Sequence, residues 1–271
     1  MGRPPPPDTK FTGMCEHEPT RRQLLVGAAV GTAALMAGAR PAVAAYPPPV
    51  APVEVMPGLL IHPRAHWGGD LPPKRPTVLE DSRFLLVHHT ASSNTYADPR
   101  DVMRVTYWWH TSSDPSKGWP DVCYQFFIGR DGDVYEGRAG ALTHPVVADA
   151  TGGNQGFAQL ICLLGDFSTV APTAAAQDSL VKVLAWLAGR DQISIADGAT
   201  ASFTSRGSQR WAKGASVTTP TITGHRDMSY TGCPGDQLYA MMPSLRQRAR
   251  AQLAAWSGVL RPAVRLGPPT A

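Results

Sequence analysis

Residues 84–91 read Phe84-Leu85-Leu86-Val87-His88-His89-Thr90-Ala91, an apolar run that ends in two histidines and a threonine. A short apolar run without polar alternation is typical of a strand buried on both faces. Such strands lie inside sheets that are covered by helices, and ligand-binding residues often follow the end of the strand. We therefore expect this run to lie inside the sheet and its histidines to lie at a functional edge.

Strand and helix patterns alternate along the rest of the chain. A helix starts at Asp98-Pro99 and reaches Trp109, and a hairpin of 123–128 and 134–136 follows with Asp-Gly at its turn. A strand at 160–164 precedes a helix at 173–189, which is closed by Gly189. The last elements are a loose hairpin within 200–217, a strand at 219–223 and a final helix at 236–256. This order predicts an α/β fold with a mixed central β-sheet flanked by helices.

Histidine and cysteine side chains follow two of the predicted strands. His88 and His89 follow the first strand, whereas His225 follows the strand at 219–223 and Cys233 lies eight residues further on. Two neutral imidazoles and a thiolate suit zinc, which in catalytic sites leaves its fourth position for a water molecule. The spacing alone does not distinguish His88 from His89, and core histidines with a structural disulfide are the alternative.

The composition excludes several classes of protein. Charged residues make up 17% of the 271 residues and the net charge is +4, without a dense basic stripe. This argues against a disordered chain and against nucleic-acid binding. Residues 1–44 carry five basic and three acidic side chains, so half of the net charge belongs to that segment.

The first 44 residues resemble an export signal. Arg21-Arg22 precede an apolar, Gly/Ala-rich run that is followed by Ala42-Val43-Ala44. This pattern is similar to a twin-arginine signal peptide, and the run is too short and too diluted by glycine for a membrane anchor. We predict a signal peptide at 1–44, a Pro-rich spacer at 45–57, one domain at 58–257 and a flexible tail at 258–271. The mature chain is then an exported monomer (periplasm, cell wall or extracellular) without a stable membrane span.

Four motifs in one order resemble a known family. They are the 84–91 run, Gly118-Trp119-Pro120-Asp121-Val122-Cys123-Tyr124-Gln125-Phe126, Val134-Tyr135-Glu136-Gly137-Arg138, and Gly224-His225-Arg226-Asp227 with Thr231-Gly232-Cys233-Pro234-Gly235. Together they are similar to the peptidoglycan recognition protein and N-acetylmuramoyl-L-alanine amidase family, over roughly residues 60–250. The resemblance implies peptidoglycan or muropeptides as the binding partner.

The resemblance also implies roles for individual residues. His88, His225 and Cys233 match the zinc ligands, so the choice of His88 over His89 comes from the family. Tyr124 matches a tyrosine whose hydroxyl stabilises the oxyanion, and Thr231 matches a catalytic position that is threonine or lysine in relatives. The implied reaction is hydrolysis of the amide between N-acetylmuramic acid and L-alanine. A binding module without activity is the alternative.

Substrate contacts are expected from a groove beside the metal. His144 resembles a groove histidine of the family, and Trp109 and His110 are predicted to line the same groove. Two positions depart from the family pattern, with Cys123 in place of glycine and Gln125 in place of asparagine or histidine. Because Cys233 is assigned to zinc and Cys15 to the leader, Cys123 and Cys162 form one disulfide or stay free thiols, and we favour free thiols.

Overall fold

A computed structural model describes residues 48–114, 116–152 and 156–259. Nine strands are present in this part of the chain: β1 Val53–Met56, β2 Leu59–His62, β3 Phe84–His89, β4 Phe126–Ile128, β5 Val134–Glu136, β6 Ala158–Leu163, β7 Thr200–Thr204, β8 Ser216–Pro220 and β9 Ile222–Gly224. The helices are α1 Ala65–Gly68, α2 Pro99–His110, α3 Ala174–Arg190, α4 His225–Met228, α5 Asp236–Ala240 and α6 Met242–Val259.

Seven strands form one mixed sheet in the order β1-β2-β5-β4-β6-β3-β9, and β7 and β8 form a separate antiparallel hairpin. Strand β3 lies between β6 and β9 and runs parallel to both. All six residues of β3 are buried, as its apolar sequence predicts. The prediction of an α/β fold with a mixed central sheet is confirmed.

The two faces of the sheet have different covers. Helices α3 and α6 pack against one face, where Leu85 and Val87 point. The other face carries Phe84 and Leu86, and it is covered by residues of α2 and of the β7–β8 hairpin. Because neighbouring side chains in a strand point to opposite faces, His88 lies on the face of Phe84 and Leu86, and His89 lies on the face of Leu85 and Val87.

Local signals explain where several elements begin. The Asp98 side chain accepts a hydrogen bond from the Arg100 N–H at the start of α2, and Pro99 occupies the first turn. Thr173 caps α3 in the same way. Gly132, with φ of 92°, forms the Asp-Gly turn between β4 and β5. A side chain there would meet the Ala175 carbonyl oxygen at 3.0 Å, so both the turn and the packing of α3 require glycine.

Several predicted boundaries are wrong. Part of the stretch predicted as a spacer forms β1, because no proline lies between Pro52 and Pro57 and Val53, Glu54 and Met56 pair with β2. The predicted final helix is divided at Met241 into α5 and α6. Helix α3 continues through Gly189 to Arg190, and Asp191 is its C-cap.

The region between α3 and β9 is more regular than predicted. The loose hairpin expected within 200–217 is a five-residue pair of strands, with Thr200 opposite Pro220. The strand expected at 219–223 is divided between β8 and β9, so Thr219 belongs to the hairpin. The reason is that Thr221 bonds to Ala199, and the chain then enters the main sheet beside β3.

Two predicted segments lie outside the described residues. They are the signal peptide at 1–44 and, apart from the end of α6, the tail at 258–271. Among the residues that the structure describes, the helices are too short or too polar to cross a membrane.

Candidate metal centre

Three potential metal ligands meet at the end of β3. His88 is in β3, His225 begins α4, and Cys233 lies in the loop before α5. Their ligand atoms all lie within 4.8 Å of one another, and the three residues are buried. Val87 pairs with Gly224 where β3 and β9 lie side by side. His88 follows Val87 and His225 follows Gly224, so this pairing brings the two histidines together. Their ring centroids are 4.3 Å apart.

Burial keeps both imidazoles neutral. It lowers the pKa of His88 well below 6.5, and the nearby His225 lowers it further. Burial also lowers the pKa of His225, to about 3, with a smaller effect of His89. Since metals bind the neutral imidazole, both side chains are in the ligand form at neutral pH.

One ring nitrogen of each histidine is left without a hydrogen bond. His88 Nε2 and His225 Nδ1 are buried and have no partner among the described residues. A buried polar atom without a partner costs free energy, and such atoms in folded proteins indicate a missing ligand, water or ion. Two of these nitrogens beside a thiol fit a zinc ion, for which His and Cys are the usual ligands.

Contacts to its sulfur and to its backbone hold Cys233 in place beside His88. The sulfur lies 3.5 Å from His88 Nδ1, and the His89 N–H donates to it at 3.4 Å. The Cys233 N–H in turn donates to the Thr231 hydroxyl at 3.0 Å. A backbone N–H directed at sulfur stabilises negative charge there. Thr231 therefore supports the loop that carries the cysteine.

His89 lies on the opposite face of the sheet. Its Nδ1 accepts a hydrogen bond from the Phe167 N–H at 3.2 Å and lies 3.7 Å from an oxygen of Asp166. These contacts turn the ring away from His225 and Cys233. The structure thus distinguishes the two adjacent histidines, which spacing alone left open.

Two residues that received no role from the sequence hold the ligands in place. The Asp227 carboxylate accepts hydrogen bonds from the Thr223 hydroxyl (2.6 Å), the Gly224 N–H (3.0 Å) and the Tyr239 hydroxyl (2.5 Å). The Arg226 N–H donates to the Cys233 carbonyl at 2.9 Å, and its guanidinium contacts the Gly232 carbonyl and Asp236. Both residues directly follow His225 in the Gly-His-Arg-Asp motif, which is the signal that could have identified them.

Tyr124 lies beside the cluster. Its ring centroid is 5.1 Å from that of His88, and it also contacts Phe127. The residue precedes β4, and the Arg138 N–H donates to its carbonyl oxygen at 2.8 Å. The structure therefore brings Tyr124 to the metal ligands, although the two strands are separated by β6 in the sheet.

The expected groove residues are placed differently. His110 is fully buried, and its ring packs between Trp119 and Tyr124, so the prediction that it lines a groove is wrong. The reason is that His110 ends α2 on the helix face that packs on the sheet, where its Nδ1 accepts the Cys123 N–H. Trp109 is half-buried under the Lys117 ammonium group. His144 is exposed and bonds locally to Gly140 and Thr143.

Cys123 and Cys162 are both buried, and within the described part of the chain no disulfide joins them to each other. Their redox state stays a prediction. Cys162 lies beside His88 in the register of β6 and β3.

Comparison with known proteins identifies relatives of the chain. A family model described as N-acetylmuramoyl-L-alanine amidase matches residues 79–236. The human N-acetylmuramoyl-L-alanine amidase is 30% identical over 188 residues, which are 67% of this chain and only 27% of the human protein. The peptidoglycan-recognition protein SC2 of Drosophila melanogaster is 28% identical over 184 residues, or 67% of this chain and 84% of the relative.

Solved structures show the same fold. Peptidoglycan recognition protein LE, solved in complex with tracheal cytotoxin (monomeric diaminopimelic acid-type peptidoglycan), superposes with a TM-score of 0.50 at 26% identity. The match covers 68% of this chain and 92% of that one. Wild-type Drosophila PGRP-LB gives a TM-score of 0.51 at 24% identity, over 68% and 92% of the two chains.

Proposed function

The chain belongs to the N-acetylmuramoyl-L-alanine amidase family, and from this premise we propose that it is an exported, zinc-dependent peptidoglycan amidase. The bond cleaved is the amide between the lactyl group of N-acetylmuramic acid and L-alanine of the stem peptide. The family and its relatives support peptidoglycan as the molecule that is bound or cut. The recognition protein solved with a peptidoglycan fragment supports the same partner.

The observation that carries the proposal is the buried cluster of His88, His225 and Cys233. The three residues would hold zinc through the two imidazoles and the sulfur. Zinc, when bound there, supplies Lewis-acid activation of water and of the amide carbonyl group. A disulfide-stabilised domain with core histidines does not explain the two unpartnered ring nitrogens.

Tyr124 is proposed as the residue that acts on the carbonyl oxygen. Its hydroxyl donates a hydrogen bond, and such a bond strengthens as the oxygen gains negative charge in the transition state. The Tyr124 ring packs against His88 and Phe127, and these contacts hold it in place before the substrate binds. Thr231, proposed as a catalytic position, contributes through its bond to the Cys233 N–H, which orients the ligand loop.

Residues His144 and Trp109 remain proposed substrate contacts. His144 is exposed on the loop after β5, and Trp109 is half-buried on α2. Export through a twin-arginine signal at 1–44 is likewise proposed, from Arg21-Arg22 and the apolar run after them. An extracellular location fits a substrate that lies outside the membrane.

The second candidate is a binding module that does not cut peptidoglycan. It is favoured by the relatives that are named as recognition proteins. The complete ligand set next to Tyr124 favours catalysis, because binding alone requires neither the thiolate nor the tyrosine hydroxyl.

One experiment separates the two candidates. Residues 46–271 are purified, bound zinc is measured, and the protein is incubated with peptidoglycan sacculi while released stem peptides are followed by mass spectrometry. We expect one zinc per chain and release of peptides beginning with L-alanine. Absence of release at stoichiometric zinc would contradict the amidase proposal and leave the binding module.

The variant Cys233→Ala tests the ligand assignment. It should lose both zinc and peptide release, because the cluster then keeps only two ligands. The matched control is Cys162→Ala, which removes a buried thiol that neighbours His88 in the sheet but is outside the ligand cluster. Retention of zinc and activity in Cys233→Ala would refute the assignment.

A further inference from the structure

The tip of the β7–β8 hairpin touches the loop that carries the metal ligands. The tip comprises residues 205–215, and Arg210 lies within it. Arg210 Nη1 donates a hydrogen bond of 2.5 Å to the carbonyl oxygen of Arg226, the residue next to His225. The hairpin therefore brings a positive charge to the backbone of the residue that follows the ligand His225, from a part of the chain that the proposed mechanism does not use.

Arg210 is held in a defined position. Its guanidinium carbon lies 5.2 Å from the ring centroid of Trp211 and 5.9 Å from that of Tyr230. The backbone of the tip is fixed by serine hydroxyls, since Ser208 Oγ accepts from the Trp211 N–H (2.9 Å) and Ser205 Oγ donates to the Trp211 carbonyl (3.2 Å). Prior fixation of this kind lowers the entropy cost of binding a ligand.

Arg210 has no acidic partner among the residues that the structure describes. Arg206 on the same tip pairs with Glu80 at 2.9 Å, and Arg226 pairs with Asp236 at 2.7 Å. Within residues 48–114, 116–152 and 156–259, Arg210 makes no ion pair and uses one N–H in the bond to Arg226. A guanidinium has five N–H groups in a planar fork that matches a carboxylate.

The surroundings of Arg210 suit the rest of a peptide ligand. Arg210 is partly exposed, and the neighbouring Tyr230 is 62% exposed. The indole N–H of Trp211 is buried and has no hydrogen-bond partner among the described residues. A carboxylate here would gain a charged donor together with aromatic surface for the carbons beside it.

We propose that Arg210 is a specificity-determining residue that binds a carboxylate of the stem peptide. The inference rests on the proposed function, because that function makes the ligand an acyl peptide with carboxylates that are charged at neutral pH. Trp211 and Tyr230 flank the subsite, and Arg210 supplies its positive charge, because the guanidinium of Arg226 is paired with Asp236.

The test compares two soluble substrates that differ at one group. N-acetylmuramyl-tripeptide with a free C-terminal carboxylate and the same compound as its C-terminal carboxamide are given to the zinc-loaded mature chain. We expect KM about tenfold lower for the acid, the contribution of one charge-assisted hydrogen bond pair. In Arg210→Gln the two KM values should become equal, with zinc content unchanged, and Arg210→Lys should keep part of the preference.

Lys213→Gln is the matched control, since it removes the same charge from an exposed position of the same tip. It should keep the full preference for the acid. The proposal would be overturned if the parent protein showed no preference for the acid, or if Arg210→Gln kept the full preference. It would also be overturned if Arg210→Gln lost zinc and both KM values rose equally, because Arg210 would then only stabilise the loop that carries the metal ligands.

Failure of this proposal can be told apart from failure of the amidase proposal. Dissociation constants for the acid and the amide are measured by calorimetry on Tyr124→Phe, with and without Arg210→Gln. If the parent protein releases no peptide but binding still discriminates through Arg210, the amidase proposal fails and the carboxylate subsite stands. If peptide is released but the acid and the amide bind equally well, the amidase proposal stands and the carboxylate subsite fails.

Discussion

At the scale of single residues, His88 and His89 have opposite environments although they are neighbours. His88 contacts His225 and Tyr124, whereas the His89 ring accepts a bond from Phe167. The His89 backbone nevertheless contributes to the site, since its N–H donates to the Cys233 sulfur. One strand end thus supplies a ligand with one residue and stabilises a second ligand with the next.

The role proposed for Tyr124 makes a prediction at this scale. Tyr124→Phe should lower kcat by roughly 10²–10³-fold, because one donor to the developing oxyanion is lost. KM and bound zinc should stay near the parent values, since the ring and its packing are kept. Steady-state kinetics on a muramyl tripeptide with zinc analysis measures both. Phe167→Leu, a change behind His89 on the other face, is the control, and an unchanged kcat in Tyr124→Phe would remove the tyrosine from the mechanism.

At the scale of elements, the junction of β9 and α4 orients two of the three ligands. Asp227 joins the end of β9 to α5 through Gly224 and Tyr239, and Arg226 holds the Cys233 loop. The helix α4 has only four residues, so it depends on these side chains more than on its own hydrogen bonds.

Asp227→Asn tests the importance of this junction. The substitution removes the negative charge of the carboxylate and replaces one of its two acceptor oxygens by an NH2 donor, so the hydrogen bonds to Gly224 and Tyr239 are weakened. We expect zinc affinity to fall by about 10–100-fold, the usual effect of losing a residue that supports a metal ligand. Competition with a chromogenic chelator measures it. Asp178→Asn, which breaks an exposed pair with Arg248, is the control. Equal affinities in both variants would contradict the prediction.

At the scale of the whole molecule, the buried histidines make the metal-free protein sensitive to acid. Burial lowers the pKa of His88, His110 and His225, so the unfolded chain binds more protons than the folded chain below about pH 6.5. Their contribution to the free energy of unfolding is therefore complete above pH 6.5 and is lost as the pH falls towards the lowered values, which for His225 is about 3.

Because unfolding takes up protons below pH 6.5, the stability of the protein should change measurably with pH. The free energy of unfolding of zinc-free protein, from urea denaturation, should decrease steadily between pH 7 and pH 4. His225→Asn should flatten the dependence, because one of the protons taken up on unfolding is removed. His144→Gln, a change at an exposed side chain, should leave the slope as it is. A parent protein with constant stability over this range would refute the argument.

The sequence by itself determined the sheet centre and the chemical elements of the site. The apolar run of β3 is typical of a strand buried on both faces, and the family motifs identified His88, His225, Cys233 and Tyr124 as residues that belong together. These signals are local in the chain. Hydrophobic period, capping residues and motif spacing act within a few residues of one another and can be read without knowing what packs where.

Only the tertiary structure decided which side chains lie in contact with one another. The covers of the two sheet faces separate His88 from His89, α2 buries His110 beneath Tyr124, and the hairpin tip brings Arg210 to Arg226. The same holds for β1, whose pairing with β2 overrides a Pro-rich composition. Such outcomes depend on contacts between distant parts of the chain, because burial and orientation are properties of the packed faces rather than of the residues that form them.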